Sequence, residues 1–139
     1  MVNLAGLYKD TGDIPWVLGL SGGKDSTALT MHLLETMEQL PPPVRNRKRV
    51  YITCVNTLVE APPVIDHVHK FIERLKLYVE DRALPVEVIE LVPEYEQTFW
   101  SNLIGRGYPT PVREFRWCTD RMKIRPAQRF ICLLYTSDA

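Results

Sequence analysis

The residues best placed to do chemistry are Ser21-Gly22-Gly23-Lys24-Asp25-Ser26, followed by Thr27. Paired glycines let backbone N–H groups approach phosphate oxygens with no Cβ in the way. The hydroxyls of Ser21, Ser26 and Thr27 add donors, and Lys24 adds a full positive charge. A short apolar run precedes the loop and a helical pattern begins at Ser26, so a helix's positive end and free N–H groups aim at the same place. The ligand this suits is a phosphate. A Walker A loop is excluded, because that pattern puts glycine five residues before its Gly-Lys pair and Ser or Thr directly after the lysine. Leu18 and Asp25 stand at those positions. The competing reading is a glycine turn that merely closes a strand–helix unit.

Charge points the same way only locally. Seventeen basic residues balance seventeen acidic ones over 139 residues, so net charge indicates neither a nucleic-acid nor a membrane partner. Between Arg106 and Arg129, seven basic residues face two acids, Glu114 and Asp120, an excess of five suited to an anionic ligand or to a solvated basic face. The three cysteines, Cys54, Cys118 and Cys132, show no CxxC spacing. With no signal peptide, they point to the reducing cytoplasm. No apolar run approaches the roughly 18–20 residues that span a bilayer.

The elements that must position these residues follow from periodicity. The first 15 residues read as a lead-in segment. Trp16-Val17-Leu18-Gly19-Leu20 is a continuous apolar run, the pattern of a strand buried on both faces. Leu29, Leu33, Leu34 and Met37 then follow helical spacing to about Gln39, where Pro41-Pro42-Pro43 stops the helix. A basic loop, Arg45 to Arg49, leads to a second strand, Val50 to Val55. Pro62-Pro63 suits the first turn of a helix, with Val64, Val68, Phe71, Ile72 and Leu75 as its apolar stripe to about Arg82. Val86 to Val92 reads as a third strand. This order predicts an α/β fold with a parallel twisted sheet, flanking helices and Trp16–Leu20 central. Tyr95 to Ile104 reads as a short aromatic helix, residues 105–111 as a loop, and Arg121 to Ile131 as helical despite Pro126. Cys54, inside a strand, reads as core; His32, His67 and His69 lie on helix surfaces without metal-ligand spacing.

The loop resembles the SGGxDS signature of the PP-loop ATP pyrophosphatases, enzymes of the adenine nucleotide alpha hydrolase-like fold. Lysine at its variable position is similar to the sulfonucleotide branch, which includes phosphoadenosine phosphosulfate (PAPS) reductases. Asn56-Thr57-Leu58-Val59-Glu60 looks like that superfamily's nucleotide-side loop. The segments 98–109 (TFWSNLIGRGYP) and 115–124 (FRWCTDRMKI) resemble one family, the sulfurtransferase C component of the bacterial DNA phosphorothioation (Dnd) system. The similarity runs from about Trp16 to Ile131.

This resemblance implies an enzyme that cleaves ATP to AMP and pyrophosphate, activating an acceptor for sulfur insertion into DNA. It implies that Ser21, Gly22, Gly23, Lys24, Asp25 and Ser26 bind pyrophosphate, with Asp25 helping to hold Mg²⁺. Thr57 and Glu60 would lie beside the nucleotide, against plain roles as a turn hydroxyl and a helix N-terminal carboxylate. Arg116 and Lys123, with Lys24 and Asp25 the expected catalytic set, would meet an anionic substrate. Cys118 matches the family's first iron–sulfur ligand, though such a cluster takes four thiolates. DNA and a cysteine desulfurase are implied as partners. Residues 1–131 are expected to form an incomplete nucleotide domain, and 132–139 a non-native tail or a frayed terminus. The alternatives are a PAPS reductase-like enzyme and a non-catalytic nucleotide-binding module.

Overall fold

Three apolar runs become strands: β1 (Trp16–Gly19), β2 (Val50–Val55) and β3 (Val86–Leu91). The computed structural model describes residues 3–137. The strands form one sheet in the order β1-β2-β3. β1 and β2 are parallel, with Trp16 opposite Val50 and Gly19 opposite Thr53. β3 runs in the same direction, since the N–H groups of Val50 and Asn56 donate to the carbonyls of Pro85 and Leu91 at 2.9 and 2.8 Å. Helices α2 (Lys24–Gln39) and α4 (Pro62–Asp81) make the two crossovers. The chain is therefore α/β, a parallel sheet flanked by helices.

The position of β1 corrects the sequence-based expectation. β2 is the central strand, and β1 lies at an edge of the described sheet. Burial follows from this. Val50, Ile52, Thr53 and Cys54 are buried, whereas β1 alternates and leaves Val17 38% exposed. The apolar run Trp16 to Leu20 has the composition of a covered strand, but composition does not count a strand's neighbours.

The chain divides into two compact units, residues 1–54 with 66–89, and residues 55–65 with 90–139. The first unit holds one core. Leu33, Leu34 and Met37 of α2 and Ile72, Leu75 and Val79 of α4 pack with Val50, Ile52, Cys54, Leu84 and Val88. Leu29 and Val64, although in helical register with these stripes, remain exposed. The lead-in is a helix, α1 (Leu4–Asp10), started by Asn3, whose side-chain oxygen accepts from Gly6 N–H at 3.0 Å. Pro42–Arg45 forms one further helical turn, α3, which starts in the proline run and leads into the basic loop, Arg45 to Arg49. Lys48 of that segment is buried rather than solvated. Its ammonium donates to the Tyr8 carbonyl at 2.6 Å and to Thr11 Oγ1, and lies 4.4 and 5.2 Å from the Tyr8 and Trp16 ring centroids. A cation with these oxygens and two π faces replaces much of its lost hydration.

The second unit is built on aromatics. Phe99 stacks on Trp117 at 5.5 Å, and Tyr108 meets Trp117 edge-on at 5.5 Å. Trp117 Nε1 donates to the Pro109 carbonyl at 3.0 Å, which fixes the Gly-Pro loop. The expected aromatic helix is a 3₁₀ turn at Tyr95–Gln97 followed by a π-helical turn at Ser101–Gly105. Asn102, fully buried, holds this bend by donating from Nδ2 to the Thr98 and Glu96 carbonyls at 2.8 and 3.3 Å. Trp117–Thr119 forms a short helix, α5, and a second π-helical turn spans Asp120–Ile124. It leads into α6 (Arg125–Ser137), which continues without a break beyond Ile131.

Candidate functional site

The phosphate-type loop sits between β1 and α2, all within the first unit. Gly22 has φ +78°, a left-handed conformation that favours glycine. Gly23 is the N-cap of α2. The first intrahelical bond runs from Thr27 N–H to the Gly23 carbonyl at 3.0 Å, so the N–H groups of Lys24, Asp25 and Ser26 precede the helix's own ladder.

Ser26 organises the loop. Its hydroxyl donates to the Gly23 carbonyl at 3.1 Å and stands 3.0 Å from Ser21 Oγ. One hydroxyl carries one proton, so Ser21 is the donor between the two. Ser21 N–H also donates to Ser26 Oγ at 3.3 Å, and Gly23 N–H to Ser21 Oγ at 3.4 Å. Both hydroxyls thus satisfy each other and the loop backbone. An arriving oxyanion can recruit them by rotation about one bond. Lys24 and Asp25 are exposed at the start of α2, where a carboxylate and a lysine can both face a phosphate–Mg²⁺ pair.

The glycines differ in their reasons for being glycine. A Cβ on Gly22 would lie 2.9 Å from Val68 Cγ2 and would occupy a strained φ. On Gly23, at φ −81°, it would meet only Ser21 Oγ at 3.5 Å, an ordinary contact. The folded loop requires a glycine at 22 and tolerates a side chain at 23.

Thr57 and Glu60 lie in the second unit. Thr57 is buried, and its hydroxyl donates to Glu60 Oε1 at 2.9 Å. Asn56 Oδ1 accepts from Leu58 N–H at 2.9 Å, and Asn56 Nδ2 donates to Glu90 Oε1 at 2.8 Å. These bonds support Leu58 at φ +64°, an uncommon conformation for a branched apolar side chain.

The basic segment resolves into separate roles. Arg106, Arg125 and Arg129 pair with Glu96, Asp120 and Glu94. Arg121 donates to Gln97 Oε1 at 2.5 Å and to Tyr108 Oη at 2.6 Å. Arg113, Arg116 and Lys123 are exposed and have no acidic partner among the described residues. A cavity of about 420 Å³ opens in this unit, with Gln97, Arg121, Arg125, Arg129 and Phe130 on its wall. Arg116 and Lys123 do not line it, and no hydrogen bond or ion pair joins them to Thr57 or Glu60 among the described residues. Cys118, on α5, is partly buried. Among the described residues no three His, Cys, Asp or Glu side chains gather as a metal site. One thiolate does not fit an iron–sulfur cluster.

The chain is 30% identical to an uncharacterized protein of Methanocaldococcus jannaschii, a match covering 98% of this chain and 24% of that protein. It spans about a quarter of that relative's length. No family model and no solved structure matches. Among the described residues no helix is long and apolar enough to cross a membrane.

Of the residues singled out by sequence, the structure brings Ser21 to Ser26 into one loop and Thr57 to Glu60 into one turn. Sequence reasoning missed Asn102 and the Arg121–Gln97–Tyr108 group. Asn102, Tyr108 and Arg121 lie in the two segments that carry the family resemblance, but the partners of Arg121, at separations of 13 and 24 residues, carry no periodic signal.

Proposed function

We propose that this chain binds the phosphates of ATP in the Ser21–Ser26 loop and belongs to an enzyme that cleaves ATP between its α and β phosphates. Gly23 carries the reading. Neither its backbone conformation nor its neighbours exclude a side chain, so the missing Cβ is best explained by an oxyanion that must come close to the backbone. The N–H groups of Lys24, Asp25 and Ser26, ahead of the helix's own ladder, the Ser21 and Ser26 hydroxyls and the Lys24 ammonium supply donors around that point.

An acceptor oxygen attacks the α-phosphorus, the bond to the bridging oxygen breaks, and pyrophosphate leaves with new negative charge. The loop's N–H groups and the Lys24 ammonium stabilise that charge where it develops. Mg²⁺, held by Asp25 and the phosphates, would neutralise charge on the leaving group. The resemblance to the Dnd sulfurtransferases supports the finer reading. The activated acceptor is then a backbone phosphate of DNA carrying AMP on one oxygen, and AMP leaves as sulfur supplied through a cysteine desulfurase attacks that backbone phosphorus.

Release of AMP and pyrophosphate from ATP by the full-length protein tests the reaction. Equilibrium binding of ATP and of pyrophosphate tests the site. Lys24→Ala and Ser26→Ala are each expected to remove a charge-assisted bond worth about 1.5–3 kcal/mol, roughly ten- to a hundredfold in affinity. Unchanged affinity in both variants would overturn the assignment.

A further inference from the structure

The loop's internal bonds among Ser21, Gly23 and Ser26 fix its shape, but they do not fix where the loop sits. The loop also meets an element outside itself. Gly22 faces α4, and a Cβ built on it would come within 2.9 Å of Val68 Cγ2, closer than real Cβ atoms approach. Val68 itself is partly buried and packs against the core of the first unit. A valine within a helix has one strongly preferred χ1 rotamer, so its methyl groups are stiffly placed. The left-handed turn of the loop therefore lies against a rigid methyl of α4, and the absence of a side chain at 22 lets it come so near. Neither Gly19 nor Gly23 has a comparable apolar neighbour.

We propose that Val68 is a positioning residue for the phosphate loop, acting through Gly22 to hold the loop's donors in register with the bound pyrophosphate. This rests on the reading of the loop as a phosphate site. Shortening Val68 leaves the turn unsupported and free to settle toward α4. The donors then miss the phosphate by a fraction of an ångström, and binding weakens although every donor is still present. Shape at 68 is what counts, not apolarity, because the contact is steric.

The experiment is a set of four variants, with ATP affinity and urea midpoint measured on each. Val68→Ala is expected to weaken ATP binding by roughly fivefold. Val68→Thr keeps the branched outline but places a hydroxyl in an apolar setting, so it also loses stability. Its ATP affinity should nevertheless stay within about twofold of the wild type. A purely structural role for Val68 would make affinity follow stability in both variants. Gly22→Ala is expected to weaken binding more than Val68→Ala, because it combines strain with a clash. In the double variant Gly22→Ala/Val68→Ala the clash is gone. Its loss should then be smaller than the product of the two single losses by roughly fivefold, about 1 kcal/mol. If the wild type binds neither ATP nor pyrophosphate, the phosphate-site reading fails and this proposal with it. If the wild type binds and the losses simply multiply, or if Val68→Thr loses as much affinity as Val68→Ala, this proposal alone is overturned.

Discussion

Two adjacent glycines in the loop serve different demands. Gly22 is required by the fold, through its φ of +78° and its contact with Val68. Gly23 is not, which separates stability from binding experimentally. Gly23→Ala should cost under about 1 kcal/mol of stability, since alanine is only a poorer N-cap than glycine. The same substitution puts a methyl where an oxyanion must approach, and ATP affinity should drop by about tenfold or more, ~1.4 kcal/mol. A variant that binds ATP as well as the wild type would mean that no ligand oxygen comes near residue 23. Lys24 and Ser26 can be proposed from sequence because the chemistry of the loop is local. Arg116 and Lys123 belonged to a charge excess that looked uniform, and the structure divides it into paired, buttressed and open cations.

At the scale of elements, α1 is tied to the sheet by Lys48. Tyr8 from α1, Trp16 from β1 and the Thr11 hydroxyl enclose its ammonium. Trp16 Nε1 donates to that hydroxyl at 2.9 Å, and Tyr8 Oη donates to the Arg45 carbonyl at 2.7 Å. Burial lowers the Lys48 pKa from its ordinary 10.5, Arg47 lowers it further, and Asp13 partly opposes both. The unfolded chain therefore keeps a proton that the folded chain releases, in the window from the lowered value up to 10.5. In that window this group makes stability rise with pH. Tyr8, raised by burial, and Tyr78, raised by its bond to Glu38, act in the opposite direction once pH passes 10.0. Urea midpoints of the wild type and Lys48→Met, measured up to pH 10, should show the rising component only in the wild type. Parallel pH profiles would mean that Lys48 is solvated in the folded state.

At the scale of the molecule, β1 pairs on one side only within the described residues. Trp16 and Leu20 N–H groups donate to the Arg49 and Thr53 carbonyls of the β2 side at 3.1 and 2.8 Å. In a parallel strand alternate residues bond to opposite sides, so the N–H groups of Val17 and Gly19 face away from β2. Hydrogen exchange on this chain should find those two amides fast and that of Leu20 protected. Slow exchange at Val17 and Gly19 would show a neighbour on the outer edge. Such a result would restore the central position that the sequence led us to expect.

The sequence by itself determined the alternation of three strands with two long helices, their limits at Pro41 and Pro62, and the phosphate-type loop between the first strand and helix. Each is written in periods of two to four residues or in the backbone chemistry of glycine and proline, which act on near neighbours in the chain. Tertiary structure alone decided that β2 is central, that Lys48 is buried between two aromatic rings, and that Val68 seats Gly22. It also selected which arginines have acidic partners. Those outcomes join residues up to 46 positions apart, as Gly22 and Val68 are. A contact across that separation depends on how the core packs, and no local pattern of residue types encodes it.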